Sequence, residues 1–235
     1  DVFDLSWRTL KLVPAMALRI LRIGVPSGIT QAIMATAGMV VQRLTNSLGE
    51  LVIACNVIVM RVDGFAMMPN FFFGMALTTY AGQNVGAGKK DRVIQGAKQG
   101  TLVALLTSAV MTGLILLFGK QLMGIFTDTT ELVELSRNMM GIIAAGYIAM
   151  AVTQSLSGVM RGAGDTLTPM WISLITTVVV RVPLASRISY LTRTADLPFG
   201  RFECISISLL TSWVLGAVFT IIFYKLGKWK TKSIQ

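Results

Sequence analysis

Six apolar stretches divide the chain, near residues 20–46, 51–80, 94–118, 135–160, 168–191 and 204–226, with short polar turns between them. A bilayer core of about 30 Å is crossed by a helix of roughly 20 such residues, so each stretch is long enough to span. The pattern predicts an all-α membrane protein: a six-transmembrane-helix bundle over residues 19–227. It is flanked by a polar, basic segment at 1–18 and a basic tail at 228–235. The run Phe3-Asp4-Leu5-Ser6-Trp7-Arg8-Thr9-Leu10-Lys11-Leu12 reads as an interfacial helix or a linker from something upstream, and no cleavable signal peptide is expected there.

Polar residues inside the apolar stretches are the candidates for function. Asp63 lies in the second, where placing a carboxylate in hydrocarbon costs about 3 kcal/mol or several times that; such an acid is expected to face a partner, a water-filled cavity or an ion. Asn56, Met60, Asp63, Met67, Asn70 and Gly74 recur at steps of four and three and so share one helical face. Soft thioethers beside an anion suit a polyspecific cation site, while ordinary packing with interhelical hydrogen bonds explains the same stripe. Arg61, two residues from Asp63, points elsewhere around the helix. Arg181, the charge nearest the middle of the fifth stretch, is the expected partner of Asp63, either in a static clamp or in a relay that opens during transport.

In the first stretch Gln31, Ala35, Gly38 and Gln42 share a face, and in the fourth Tyr147, Ala151, Gln154 and Gly158 do. The small residues allow close helix approach; the amides and Tyr147 are expected either to line a cavity or to bond across helices. Pro26 and Pro69 interrupt helical hydrogen bonding and are candidate hinges. Residues 82–88, with three glycines before Lys89 and Lys90, lack the order of a phosphate-binding loop and read as a tight basic turn. Asp165-Thr166 ahead of Pro169 reads as the cap and start of the fifth helix.

Composition narrows the function classes. Of the 235 residues 54% are hydrophobic and 14% charged, against roughly 25% charged in soluble domains, and mean hydropathy is +0.69. The net charge of +10 comes from clusters rather than from a basic face, which argues against nucleic acid as a partner and for the lipid bilayer. With no His and only Cys55 and Cys204, no metal site, no cofactor and no conventional enzyme is expected; the two thiols read as buried small hydrophobes. Arg8, Lys11, Arg19 and Arg22, then Lys89, Lys90, Arg92 and Lys98, then Arg161, and finally Lys225, Lys228, Lys230 and Lys232 fall on one side of a six-span layout. The positive-inside rule makes that side, with both termini, cytoplasmic in a multi-pass plasma membrane, the inner membrane of a bacterium, although Arg187, Arg193 and Arg201 soften the asymmetry.

Four ordered segments carry a family pattern: Gly24-Val25-Pro26-Ser27-Gly28, Val62-Asp63-Gly64-Phe65-Ala66-Met67-Met68-Pro69-Asn70-Phe71, Gly82-Gln83-Asn84-Val85-Gly86-Ala87-Gly88-Lys89, and Arg161-Gly162-Ala163-Gly164-Asp165-Thr166-Leu167-Thr168-Pro169. Together they resemble the MATE family, the multidrug and toxic compound extrusion transporters. The resemblance implies a twelve-helix antiporter of two six-helix lobes, exporting small organic cations or drugs in exchange for Na+ or H+. The resemblance implies that this chain is the C-terminal lobe, with an N-terminal six-helix lobe as its expected partner.

One departure matters. The resemblance implies acids on the first and fourth helices of this lobe in sodium-coupled members, yet residues 20–46 and 135–160 hold no Asp or Glu. Coupling then falls to Asp63 or, the preferred reading at this point, to the other lobe. Two alternatives stay open: a lipid-linked precursor flippase, which would need Arg61 and Arg181 facing one groove, and a non-transporting scaffold in which the polar residues only hold helices together. No shorter internal repeat is evident; the Gly-rich turns after the second and fourth spans share composition.

Overall fold

The computed structural model describes residues 14–195, 197–227 and 229. The expected interfacial helix at 3–12 lies outside the described residues, as does the basic tail apart from Trp229. The helices are α1 (Pro14–Ser47), α2 (Glu50–Gly86), α3 (Lys90–Gly124), α4 (Thr130–Ala144), α5 (Gly146–Gly162), α6 (Leu167–Leu174), α7 (Val182–Leu191) and α8 (Glu203–Leu226). A π-helical segment, Ile175–Arg181, joins α6 to α7. All six apolar stretches fall within these elements, α4 and α5 sharing the fourth and α6, the π segment and α7 the fifth.

Among the described residues, α2, α3, the run Leu167–Leu191 and α8 are each long and apolar enough to cross a bilayer, and α4 with α5, bent by 43°, is so when the pair is taken as one span. That is four to five spans where six were expected. α1 has the length, 34 residues, but is less apolar than α2, α3 or α8, and it does not enter the count. It also packs only lightly, touching α2, α6, the π segment and α7 at the edge of the bundle.

The centre of the bundle is the contact of α2 with α5, and glycine makes it close. A Cβ on Gly158 would collide with the Gly74 carbonyl, and one on Gly162 with the Thr78 carbonyl. Gly74 in turn leaves 3.1 Å between an added Cβ and the Gln154 carbonyl oxygen. Backbones meeting at this range gain dispersion contacts that larger side chains would hold apart. Around this seam the main core gathers Val59, Met123, Met139, Met140 and Tyr147, with α3, α4 and α8 contributing.

The helices do not break at Pro26 or Pro69. α2 stays helical across Pro69, and the helical backbone of α1 continues through position 26. The breaks lie instead at Ala144–Gly146, at Phe118, whose φ of −108° and ψ of 16° kink α3 just before Gly119, and in the π segment that ends two residues before Pro183. A proline ring collides with the carbonyl four residues back, and a widened π turn relieves that clash.

The Gly-rich turns share more than composition. α2 ends with Gly88 at φ 72°, Lys89 N–H donating to Asn84 O (2.8 Å) and Gly88 N–H to Val85 O (3.0 Å). α5 ends with Gly164 at φ 88°, Asp165 N–H donating to Met160 O (2.8 Å) and Gly164 N–H to Arg161 O (3.0 Å). Both are the same left-handed glycine cap, each built on Gly-Ala-Gly. Residues 82–86 are accordingly helical and the turn is confined to 87–89, shorter than the loop expected at 82–88. Thr166 is the N-cap of α6, and Asp165 just before it accepts from Thr168 Oγ1 at 2.7 Å and from Thr168 N–H at 3.4 Å.

Candidate functional site

Asp63 lies half-buried on α2, and Tyr147 opposite it on α5 is wholly buried. The Tyr147 hydroxyl donates to Asp63 Oδ1 at 2.8 Å. Tyr147 sits just after the α4–α5 break, where the absence of a side chain at Gly146 lets Trp213 of α8 approach; a Cβ there would come within 2.5 Å of the indole. The Tyr147 and Trp213 rings then meet at 5.8 Å, tilted by 38°, and Met140 Sδ lies 3.8 Å from the hydroxyl. The phenol is thereby held in one orientation, aimed at the carboxylate.

The break itself is held by side chains from neighbouring helices. Thr112 of α3 donates to the Ala144 carbonyl at 3.0 Å, and Asn70 Nδ2 donates to the Tyr147 carbonyl at 3.4 Å. Ser108 fixes the amide by donating to Asn70 Oδ1 at 2.7 Å. Buried polar groups without partners are costly, so this network sets where α4 ends and α5 begins.

Arg181, at the end of the π segment, is near enough for its charge to act on Asp63. It does not form the expected ion pair. The ion pairs among the described residues are Lys120–Glu134, Arg137–Glu134 and Arg201–Glu203. The phenol has taken the place beside the carboxylate, and Arg181 Nε is buried with no hydrogen-bond partner. Arg61 is exposed, its guanidinium 6.0 Å above the Phe126 ring, so the two arginines are not presented together.

The expected lining residues divide into two sets. Met67 and Asn70 are buried in the lobe, as is Tyr147, so these three belong to its interior rather than to an open face. Met60 is 60% exposed, Gln31 and Gln42 are exposed, and Asn56 and Gln154 are half-buried. Gln42 bonds along its own helix to Asn46 (2.9 Å) and Asn56 to Met60 Sδ (3.5 Å). Along the α2 stripe Asn56 and Asp63 are half-buried and Met60 between them is exposed, whereas Met67, Asn70 and Gly74 are buried. Ser108, Thr112 and Trp213 were not anticipated. The signal that ties Tyr147 to Asp63 was present: a buried phenol needs a partner, and the second span held one isolated acid.

Among the described residues no group of three acidic, Cys or His side chains gathers in one place. Cys55 and Cys204 are both buried and free. What the site offers is one carboxylate with Oδ1 anchored, no other hydrogen bond to it among the described residues, and an unpaired guanidinium nearby. A carboxylate so placed has the chemistry to take up a proton or a cation.

The sequence profile of the MatE family matches residues 26–186. The chain is 27% identical over 222 residues to the probable multidrug resistance protein NorM of Thermotoga maritima, covering 92% of this chain and 45% of that protein. To the probable multidrug resistance protein YpnP of Bacillus subtilis it is 27% identical over 215 residues, covering 92% and 46%. The chain therefore spans about half the length of these relatives. Its fold superposes on a MATE structure in the bent conformation with a TM-score of 0.83 at 17% identity, covering 100% of this chain and 51% of the other. An outward-facing multidrug resistance MATE family transporter gives 0.81 at 16%, covering 99% and 51%.

Proposed function

The chain belongs to the MATE family of membrane transporters, and from that premise we propose that it forms one lobe of a secondary antiporter exporting organic, often cationic, compounds or drugs in exchange for Na+ or H+. The relatives named as multidrug resistance proteins support the substrate class, and their doubled length supports a second lobe as its partner. Rocking of this lobe against that partner gives alternating access. The basic α2–α3 turn and Lys225 at the end of α8 belong on the cytoplasmic side of a bacterial inner membrane, and both termini join them where α1 also crosses.

The observation that carries the coupling is the held carboxylate of Asp63. Tyr147 O–H stabilises its charged form, one oxygen stays open, and the charge of Arg181 opposes too tight a hold on a cation. A carboxylate that binds and releases an ion in each cycle needs this balance. Binding of the ion or proton alters the hydrogen bond to Tyr147, which sits at the α4–α5 break, and so reaches the backbone of a spanning segment. With its own acid so placed, this lobe carries the coupling group itself.

The test is flux in proteoliposomes holding the complete protein. An imposed Na+ or H+ gradient should accelerate movement of an ethidium-like cation against it. Movement indifferent to both gradients would remove the antiport reading.

A further inference from the structure

Na+ and H+ make different demands on the carboxylate of Asp63. Its Oδ1 accepts from Tyr147, whereas Oδ2 accepts no hydrogen bond among the described residues and is not one of the unpartnered atoms sealed inside the lobe. Oδ2 is thus open to an incoming ion, and the groups around it decide which ion that is.

A hard cation gathers about six oxygens in place of its water. In transporters these include backbone carbonyls freed where a spanning helix is broken. The α4–α5 break lies beside Asp63, but the carbonyls flanking it are engaged: Ala144 O accepts from Thr112 Oγ1 at 3.0 Å and Tyr147 O from Asn70 Nδ2 at 3.4 Å. The Asn70 amide oxygen is engaged too, accepting from Ser108 at 2.7 Å. Asn56 and Asn70 each lie two turns from Asp63 along α2, about 10 Å away. Gln154 packs level with Gly74, about 16 Å along the helix from Asp63. Pro69 frees the Phe65 carbonyl, but position 65 lies about 200° around α2 from Asp63.

What stands closest is ill suited to Na+. Met140 Sδ lies 3.8 Å from the Tyr147 hydroxyl, and a thioether is a soft ligand. Among the described residues the oxygens shown to meet at the site are the two of Asp63 and the Tyr147 hydroxyl. Completing the shell with water would leave Na+ almost as hydrated as in bulk, with little reason to bind.

Given that Asp63 is the coupling group, we infer that it takes H+ and not Na+. A proton needs a single oxygen. An O–H bond forms at Oδ2, the carboxylate loses its charge, and Tyr147 goes on donating to Oδ1; release on the other side of the membrane breaks that O–H bond and restores the charge. Tyr147 of α5 and Arg181 of the π segment are the titratable and charged groups that act on Asp63. The others on the helices packed around it are placed elsewhere. On α4, Glu134 pairs with Lys120 of α3 and with Arg137, and Glu131 acts on Cys55. Arg61 stacks on Phe126, and Arg43 of α1 is exposed.

Export of an ethidium-like cation by the complete protein in proteoliposomes tests this, with the gradients imposed separately. A pH gradient in Na+-free medium should drive export; one pH unit sustains up to about tenfold accumulation per proton exchanged. A Na+ gradient at equal pH, with a protonophore present, should leave export at its rate without a gradient. Asp63→Asn should abolish the pH-driven part. Na+-driven export that Asp63→Asn abolishes overturns the inference and leaves the coupling role of Asp63 standing. Export that neither gradient drives, or that Asp63→Asn leaves fully driven, removes the coupling role itself. A second measurement needs no variant: dicyclohexylcarbodiimide attacks protonated carboxyl groups, and its attachment to Asp63 is read by peptide mass spectrometry. Labelling should rise as pH falls and be unchanged by Na+ at fixed pH. Protection by Na+, or no labelling at a pH where export is driven, overturns the inference.

Discussion

The Tyr147 hydroxyl sits 2.8 Å from Asp63 Oδ1, and that contact joins the one acid of the second span to the break in the fourth. An acid in an apolar helix was expected to find a cation; it found a phenol instead. The difference matters for mechanism. A salt bridge would neutralise the carboxylate and close it, whereas a single hydrogen bond orients it and leaves it able to take a proton or an ion.

Removing the donor should be costly. Tyr147→Phe keeps the ring against Trp213 but leaves Asp63 without its bond, and a loss of about 1–3 kcal/mol is expected. In a cycle with Asp63→Ala the two losses should fail to add by about 0.5 kcal/mol or more. Denaturant or thermal unfolding of the complete protein in detergent measures both. Additive losses would mean the bond carries no stability.

Arg181 should behave differently from Tyr147. The same cycle run with Arg181→Gln and Asp63→Ala is expected to show the smaller coupling, because the guanidinium acts on the carboxylate without touching it. A coupling larger than that of the Tyr147 pair would mean that the two charges meet.

The glycine seam makes a steric prediction. Gly158→Ala drives a methyl into the Gly74 carbonyl and should destabilise by about 1–3 kcal/mol. Gly113→Ala, in α3 with open space around it, should be neutral or gain a few tenths through better helix propensity. Unfolding midpoints of the two variants, measured side by side, decide the matter; equal effects would mean that α2 and α5 are not in backbone contact.

Much of this was legible in the residues. The apolar stretches located all the helices, and the small residues Ala151 and Gly158 marked the face of α5 that meets α2, because hydrophobic length and residue size act locally. Helical spacing placed Asp63, Met67 and Asn70 on one face of α2, but which residues of that face are buried depends on the helices that pack against it, and no period in α2 encodes that. The breaks escaped for a related reason. Pro69 leaves α2 helical, whereas the fourth span breaks at Ala144–Gly146 with side chains from α2 and α3 holding the carbonyls beside the break. Thr112, Ser108 and Asn70 are polar residues in separate spans, and only their assembly shows that they serve one break. Pro183 was the overlooked local signal, since it lies just beyond the π segment that carries Arg181.

Ion dependence of transport in Asp63 variants of the complete protein, reconstituted in liposomes, is the most direct test of coupling at this carboxylate. An imposed Na+ or H+ gradient should accelerate export of an organic cation by the unmodified protein. Asp63→Asn, which keeps the shape and can still accept from Tyr147, should abolish that acceleration while leaving binding of the organic cation in place, and Asp63→Glu should retain part of it. An Asp63→Asn protein that still responds fully to the gradient would contradict the assignment of coupling to Asp63.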